Sequence, residues 1–95
     1  MDAMTRQEFR ENFDKIDAYL AARKQAEAEH GVKIIGALRM AKYAGAEARV
    51  NGKKFMSADD RGDIAAALDV EWAALTESTA NLLIDEWQRG MRLPS

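Results

Sequence analysis

Near the start of the chain, large apolar residues recur at helical spacing. Four of them stand four, three and four residues apart, which is the spacing of one face of an amphipathic helix. They are Phe9, Phe13, Ile16 and Leu20. Beyond Leu20 the residues favour helix but offer little apolar surface to bury. The pattern therefore predicts a long N-terminal helix.

Local signals mark both ends of this predicted helix. Thr5 and Glu8 have the spacing of a capping box, and Met4 stands before the cap as in a hydrophobic staple. Gly31 follows the last helix-favouring residues and can adopt the left-handed conformation that ends a helix. We expect the helix to begin at Thr5 and to stop at Gly31.

A second helix is predicted over residues 32–48, although its first four residues are also compatible with a strand. Its apolar and small residues fall within one narrow arc at ~100° per residue. These residues are Ile34, Leu38, Ala41, Gly45 and Ala48. Because most of them are small, we expect a neighbouring helix to approach this face closely.

The dipeptide Asn51-Gly52 lies between two short β-compatible runs. Asn-Gly favours a two-residue hairpin turn, since both central positions of a type I′ turn need a positive φ. The sequence therefore predicts a short β-hairpin here, which must lean on the helices because two strands alone are marginal.

From Ser57 the chain is again predicted to be helical, as far as Gly90. Ser57 is a typical N-cap, and Gly90 is the expected stop, with Pro94 preventing resumption. Thr76 and the polar residues after it leave open whether the region is one helix or two. The predicted fold is thus mainly α, a single helical domain over residues 1–95. It has long N- and C-terminal helices, a middle helix and a short β-hairpin at Asn51-Gly52.

Size and composition bear on stability and location. A chain of 95 residues has a thin core, and the absence of cysteine removes disulfides as a stabiliser. A second subunit is a common remedy for small chains, so we consider a homodimer. No apolar run approaches the ~20 residues needed to cross a bilayer, and no secretory signal begins the chain. We therefore expect a cytoplasmic protein without a membrane partner.

Charge is unevenly distributed behind a net value of −2. Residues 32–56 carry six cations against Glu47 alone, whereas residues 57–88 carry eight acids against Arg61 alone. A basic segment can follow a phosphate backbone, which makes a nucleic-acid-binding regulator the alternative function. The cations concerned are Arg39, Lys42, Arg49, Lys53 and Lys54.

Reactive side chains are scarce. His30 is the single histidine, no serine lies in a Gly-x-Ser-x-Gly turn, and the glycines form no phosphate-binding loop. The acids around Asp60 are what the start of a helix prefers, rather than a metal site. We therefore expect no enzymatic activity, no cofactor and no metal, and hence no catalytic, cofactor-binding or metal-ligating residues.

Apolar residues also lie on a second side of the predicted C-terminal helix: Ala66, Val70, Ala73 and Ile84, with Trp87 at the edge. A domain of this size cannot easily cover a helix from two directions. We therefore expect a partner protein or a second copy of the chain to cover part of this second apolar side. Aromatic and cationic residues are further contact candidates. The expected partner-binding residues are Val70, Ile84, Trp87, Arg39, Lys42, Tyr43, Lys53 and Lys54.

The sequence thus favours a non-enzymatic protein-interaction module: a small adaptor, assembly factor or inhibitor that acts by occlusion or bridging. By analogy of size and composition alone, phage-borne inhibitors of bacterial complexes, such as anti-CRISPR proteins, are one such class.

Overall fold

Four α-helices make up most of the computed structural model, which describes residues 6–93 and, within the first helix, the side chains of residue 10 and of residues 12 onward. The helices are α1 (Arg6–His30), α2 (Lys33–Val50), α3 (Ala58–Ala66) and α4 (Glu77–Met91), with a 3-10 turn at Trp72–Ala74 before α4. The predicted mainly helical fold is confirmed. The proposed capping residues Met4, Thr5 and Glu8 lie outside the described side chains.

Gly31 ends α1 as the sequence predicts. Its φ is +63°, and its amide donates a hydrogen bond to the Glu27 carbonyl at 2.7 Å. A residue with a side chain would be strained in this conformation, so glycine allows the chain to reverse within two residues and enter α2.

The predicted hairpin at Asn51-Gly52 is wrong, because this dipeptide ends α2 and the described residues contain no strand. The Lys53 amide donates to the Ala48 carbonyl at 2.8 Å, and the Gly52 amide donates to the Arg49 carbonyl at 3.1 Å. Together with the positive φ of Gly52 (+71°), these bonds form a Schellman motif. Asn-Gly suits this helix end as well as a hairpin turn, because both need a residue at positive φ.

The C-terminal region is two helices rather than one. Ser57 caps α3 by accepting a hydrogen bond from the Asp60 amide at 3.1 Å, and Thr76 caps α4 by accepting one from the Thr79 amide at 3.3 Å. Between them the chain turns at Asp69, whose φ is +58°. Consequently the predicted second apolar strip does not exist as one helix face. Its members are spread over α3, the turn after it, the 3-10 turn and α4.

The core forms where α2 packs against α4. All five residues of the predicted α2 arc are buried, and Ala37 joins them. On the other side, α4 buries Thr79, Leu82, Leu83, Trp87 and Gly90. α3 contributes Ile64 and the following turn contributes Leu68, while Ala26 is the one fully buried apolar residue among the described side chains of α1.

Two glycines let the backbones of α2 and α4 touch. A Cβ atom at Gly45 would overlap the Trp87 carbonyl, and one at Gly90 would overlap the Lys42 carbonyl. Gly90 was predicted as the helix stop, but α4 continues to Met91 and Gly90 lies inside its last turn. Its role is therefore close helix contact, which the small residues of α2 also predicted.

Among the described side chains of α1, those that pack onto this core are Tyr19, Ala22 and Ala26. Ala26 is buried, and the Glu29 carboxylate accepts hydrogen bonds from the hydroxyls of Thr79 (3.4 Å) and Thr76 (3.5 Å) at the start of α4. An acid there is favourable because the N-terminus of a helix carries partial positive charge. Three large apolar residues nearer the N-terminus of α1, in contrast, are exposed: Phe13 by 55%, Ile16 by 56% and Leu20 by 55%.

The shape of the chain reflects this arrangement. Its extents are 43 × 34 × 19 Å, and its radius of gyration is 14.7 Å, compared with about 12–13 Å for a compact chain of this length. α1, with 25 residues, spans nearly the longest dimension. The molecule is therefore flat, with the first half of α1 extending away from the core.

We expect Gly90→Ala to lower the free energy of unfolding by at least about 2 kcal/mol, because the new methyl group meets backbone that cannot move aside. Gly36→Ala is the matched control, since nothing lies within 4 Å of a Cβ atom at that exposed helix position. The control should raise stability by about 0.5–1 kcal/mol. Urea unfolding measures both. Equal effects of the two substitutions would show that α2 and α4 do not touch at Gly90.

Candidate functional site

A groove lies between α1 and α2, because the two helices diverge from their short connection at Gly31. Its volume is about 290 Å³. We call it the α1–α2 groove; it is lined by Tyr19, Arg23, Ile35, Leu38, Arg39, Lys42 and Glu86. The last of these residues comes from α4, which contacts both of the other helices.

The walls of the groove combine apolar and cationic side chains. Ile35 is partly exposed and Leu38 is nearly buried, so together they form an apolar floor. Arg39 and Lys42 are exposed on the α2 side. Within residues 6–93 neither of them forms an ion pair, and Arg23 on the opposite wall pairs with Glu27 of its own helix at 3.3 Å.

Arg23 and Tyr19 are neighbours on the α1 wall. The hydrogen bond between their side chains, and the Coulombic interaction with Tyr19, raise the pKa of Arg23 above its ordinary value. Arg23 therefore stays cationic at any physiological pH. The Tyr19 ring also faces the Arg89 guanidinium, whose central carbon lies 4.5 Å from the ring centroid. These contacts hold the α1 wall in position against α4.

Glu86 provides a buried acceptor in the groove. Its side chain is 12% exposed, and its Oε2 atom accepts no hydrogen bond from the part of the chain that the structure describes. The nearest cation is Arg89, whose Nη1 lies 3.7 Å away, beyond hydrogen-bonding distance. A buried acceptor without a donor is costly, so a bound molecule that brings an N–H or O–H group would be stabilised here.

The structure brings together only some of the predicted contact residues. Arg39 and Lys42 line the groove, whereas Tyr43 is 75% exposed on the outer side of α2. Lys53 and Lys54 are exposed in the loop after α2. Of the predicted residues, these three therefore lie outside the groove but remain accessible to a partner.

The apolar candidates of the C-terminal region do not share one helix face. Trp87 is 3% exposed and its Nε1 donates a hydrogen bond to Asp60 Oδ2 at 3.2 Å, so it is a core residue and its prediction as a contact is corrected. Val70 is half-buried and packs against the core, and Ile84 is half-buried in α4. The break at Asp69 separates these two residues onto different elements.

Sequence reasoning missed four residues of the groove: Tyr19, Arg23, Ile35 and Glu86. Ile35 is four residues before Arg39, so helical spacing placed these two on one face of α2. Nothing in the sequence linked that face to Arg23 or Glu86, because their proximity depends on the angles between three helices.

A second groove, of about 460 Å³, separates α1 from α4. Its polar lining mixes both signs, with Lys15 and Arg92 beside Asp85. Among the described residues that line this second groove, none has a buried acceptor atom that lacks a donor. The second groove is therefore less specific for one kind of bound molecule than the α1–α2 groove.

Within residues 6–93, no group of three or more His, Cys, Asp or Glu side chains could hold a metal ion. Across the same range, no helix has the length and apolar character needed to span a membrane. Comparison with protein-family models, with curated proteins and with solved structures finds no match for this chain.

The basic and acidic segments of the chain are joined by one ion pair among the described residues, between Lys33 and Asp69. The hydrogen bond that Lys33 donates and, to a smaller extent, the positive charge of Lys33 lower the pKa of the Asp69 carboxyl group below the ordinary 3.8. Because the folded pKa is the lower one, the pair stabilises the fold above pH 3.8 and loses its effect as the pH falls through the folded pKa. Most cations of the basic segment thus remain available to a partner.

We expect NMR titration of the Asp69 carboxyl group to show a midpoint below 3.8 in the native protein. In Lys33→Gln the midpoint should rise towards that value, because the hydrogen-bond donor and its charge are lost. Lys53→Gln removes the same charge without touching Asp69 and should leave the midpoint unchanged. An unshifted midpoint in the native protein would mean that Lys33 and Asp69 are not paired in solution.

Proposed function

We propose that this chain is a protein-binding module, an adaptor, assembly factor or inhibitor, that acts by occluding or bridging its partner. The α1–α2 groove carries the proposal, because it combines an apolar floor, unpaired cations and a buried acceptor. These features suit an acidic segment of a partner protein that also carries large apolar side chains. We also propose that the chain meets this partner in the cytoplasm.

Each part of the groove contributes differently to binding. Removing apolar surface from water gives roughly 25 cal/mol per Å², so contacts with Ile35 and Leu38 would provide most of the affinity. Exposed ion pairs with Arg39 and Lys42 would add about 0.2–1 kcal/mol each. Their larger effect is to speed encounter with an acidic partner and to fix its orientation. A hydrogen bond donated to Glu86 would add specificity.

A nucleic-acid-binding regulator is the alternative, and one observation favours it. Arg39, Lys42, Lys53 and Lys54 are exposed, and no ion pair involves them within residues 6–93. Arg49 differs, because its guanidinium donates a hydrogen bond to the Leu93 carbonyl. Against this alternative, the exposed apolar floor of the groove has no counterpart in the binding of a phosphate backbone, which depends mainly on cations.

Two charge-reversal pairs separate these functions. Arg39→Glu with Lys42→Glu changes the groove, while Lys53→Glu with Lys54→Glu changes the net charge equally outside it. With tagged protein in a lysate of the source cells, we expect a partner protein to be retained by the native chain and the Lys53/Lys54 variant. The Arg39/Lys42 variant should lose at least about tenfold in affinity for the purified partner, since like charges then oppose its acidic segment.

Photo-crosslinking locates the contact directly. A photoreactive residue replacing Ile35 should attach the same partner, while one replacing the exposed Ala73 should not. If the Lys53/Lys54 pair instead abolishes binding, and if mixed DNA and RNA are retained at low salt with a steep salt dependence, the nucleic-acid alternative is correct.

A further inference from the structure

The stretch of α1 between residues 13 and 20 carries an exposed apolar surface. Phe13, Ile16 and Leu20, which we call the α1 strip, are each more than half exposed. The residues of α1 that pack against the body are Tyr19, Ala22 and Ala26. At ~100° per residue, they lie roughly 120° around the helix axis from the strip.

The spacing within the strip is that of a helix pair. Steps of three and four residues place Phe13, Ile16 and Leu20 at successive core positions of a heptad pattern, and the sequence continues this pattern backwards to position 9, which is Phe. A seam of this kind is built to pack against another helix with matching spacing. The same strip on a second copy of the chain provides such a helix.

We propose that two copies of this chain associate through the α1 strip, with their α1 helices antiparallel. In this register Phe13 of each copy lies opposite Ile16 of the other. The contact is symmetric about a twofold axis, so both copies use the same surface and the assembly closes at two. This association is separate from partner binding in the α1–α2 groove.

Charge complementarity favours a second copy of the chain as the partner of the α1 strip, and it favours an antiparallel orientation of the two α1 helices. Arg10 and Asp17 are exposed positions that flank the strip on one side. In an antiparallel pair the flanking positions of the same side meet, so Arg10 of each copy lies opposite Asp17 of the other. The twofold axis thus produces two pairs of opposite charge.

A parallel arrangement does not use these charges. It would place Asn12 opposite Asp17, and Tyr19 opposite Lys24, so neither pair joins opposite charges. Tyr19 is, moreover, already in contact with the Arg89 guanidinium of its own chain. The antiparallel arrangement therefore fits the described residues better.

The contact is short, so the dimer should be weak. A standard stable interface buries about 800 Å² on each partner, whereas the strip covers only about two turns of one helix. We therefore expect a dissociation constant between about 10⁻⁶ and 10⁻⁴ M. Association should be visible at high protein concentration and absent on dilution.

Sedimentation equilibrium from low micromolar to near-millimolar concentration tests the association. The native chain should shift from monomer to dimer across this range. Ile16→Lys should raise the dissociation constant at least about tenfold by placing a charge in the apolar seam. Because Ile16 is exposed in the monomer, the circular dichroism spectrum of the Ile16→Lys chain should match that of the native chain. A native chain that stays monomeric throughout, or an Ile16→Lys chain that dimerises equally well, overturns the proposal.

Mixing two charge variants tests the antiparallel register. The Arg10→Asp chain and the Asp17→Arg chain should each dimerise more weakly than the native chain, because each sets like charges opposite one another. Mixed in equal amounts they should form a heterodimer of at least native affinity, since both pairs then join opposite charges. Asp14→Arg is the control: it makes the same charge change on another side of α1 and should not recover association with the Arg10→Asp chain.

The results of mixing decide the register. If the Arg10→Asp chain recovers association with the Asp17→Arg chain and not with the Asp14→Arg chain, the antiparallel register is supported. If it recovers association equally with both, the effect is one of net charge and the antiparallel register is overturned. The Arg39/Lys42 charge reversal should leave the dimer unaffected. Failure of the groove proposal therefore shows in partner binding alone, and failure of the dimer proposal shows in sedimentation alone.

Discussion

Direct backbone contact between α2 and α4 at Gly45 and Gly90 is the constraint on which the rest of the structure depends. Because neither residue has a Cβ atom, the two helices approach more closely than side chains would allow. The small residues of α2 then fill the space that remains, and Leu83 and Trp87 close it from α4. α3 and the turn after it cover one side of this pair with Ile64 and Leu68.

This arrangement decides what is left for α1. The α2–α4 pair contacts the C-terminal part of α1, where Ala26 is buried and Glu29 meets the capped start of α4. Nearer its N-terminus the α1 strip is exposed, and the divergence of α1 from α2 opens the groove above Glu86. The two surfaces differ in chemistry: the groove is basic with an apolar floor, whereas the strip is apolar with one charge of each sign beside it.

The sequence predicted those parts of the fold that depend on local chemistry or on periodicity. The arc of α2, the glycine stop of α1 and the Ser57 cap follow from spacing and residue type, and all three are confirmed. The Asn51-Gly52 hairpin was wrong because a positive φ at glycine serves a helix end as well as a hairpin. Gly90 was similarly assigned to a helix end, since a sequence does not distinguish a stop from a close helix contact.

The candidate site was less accessible from sequence. Periodicity shows which face of a helix is apolar but not whether another element covers it, so the strip of α1 could not be told from a core face. Trp87 was predicted to be a contact residue for the same reason. The groove needs three helices at particular angles, and only its α2 wall, with Arg39 and Lys42, was among the predicted residues.

Native-state hydrogen exchange, measured at a concentration low enough to keep the chain monomeric, tests this account most directly. Amides of α2 and α4 around Gly45 and Gly90 should exchange only through global unfolding. Amides of residues 10–18 in α1 should exchange through local opening that costs at least about 2 kcal/mol less. Equal protection of both regions in the monomer would contradict the account, because the first half of α1 would then belong to the core.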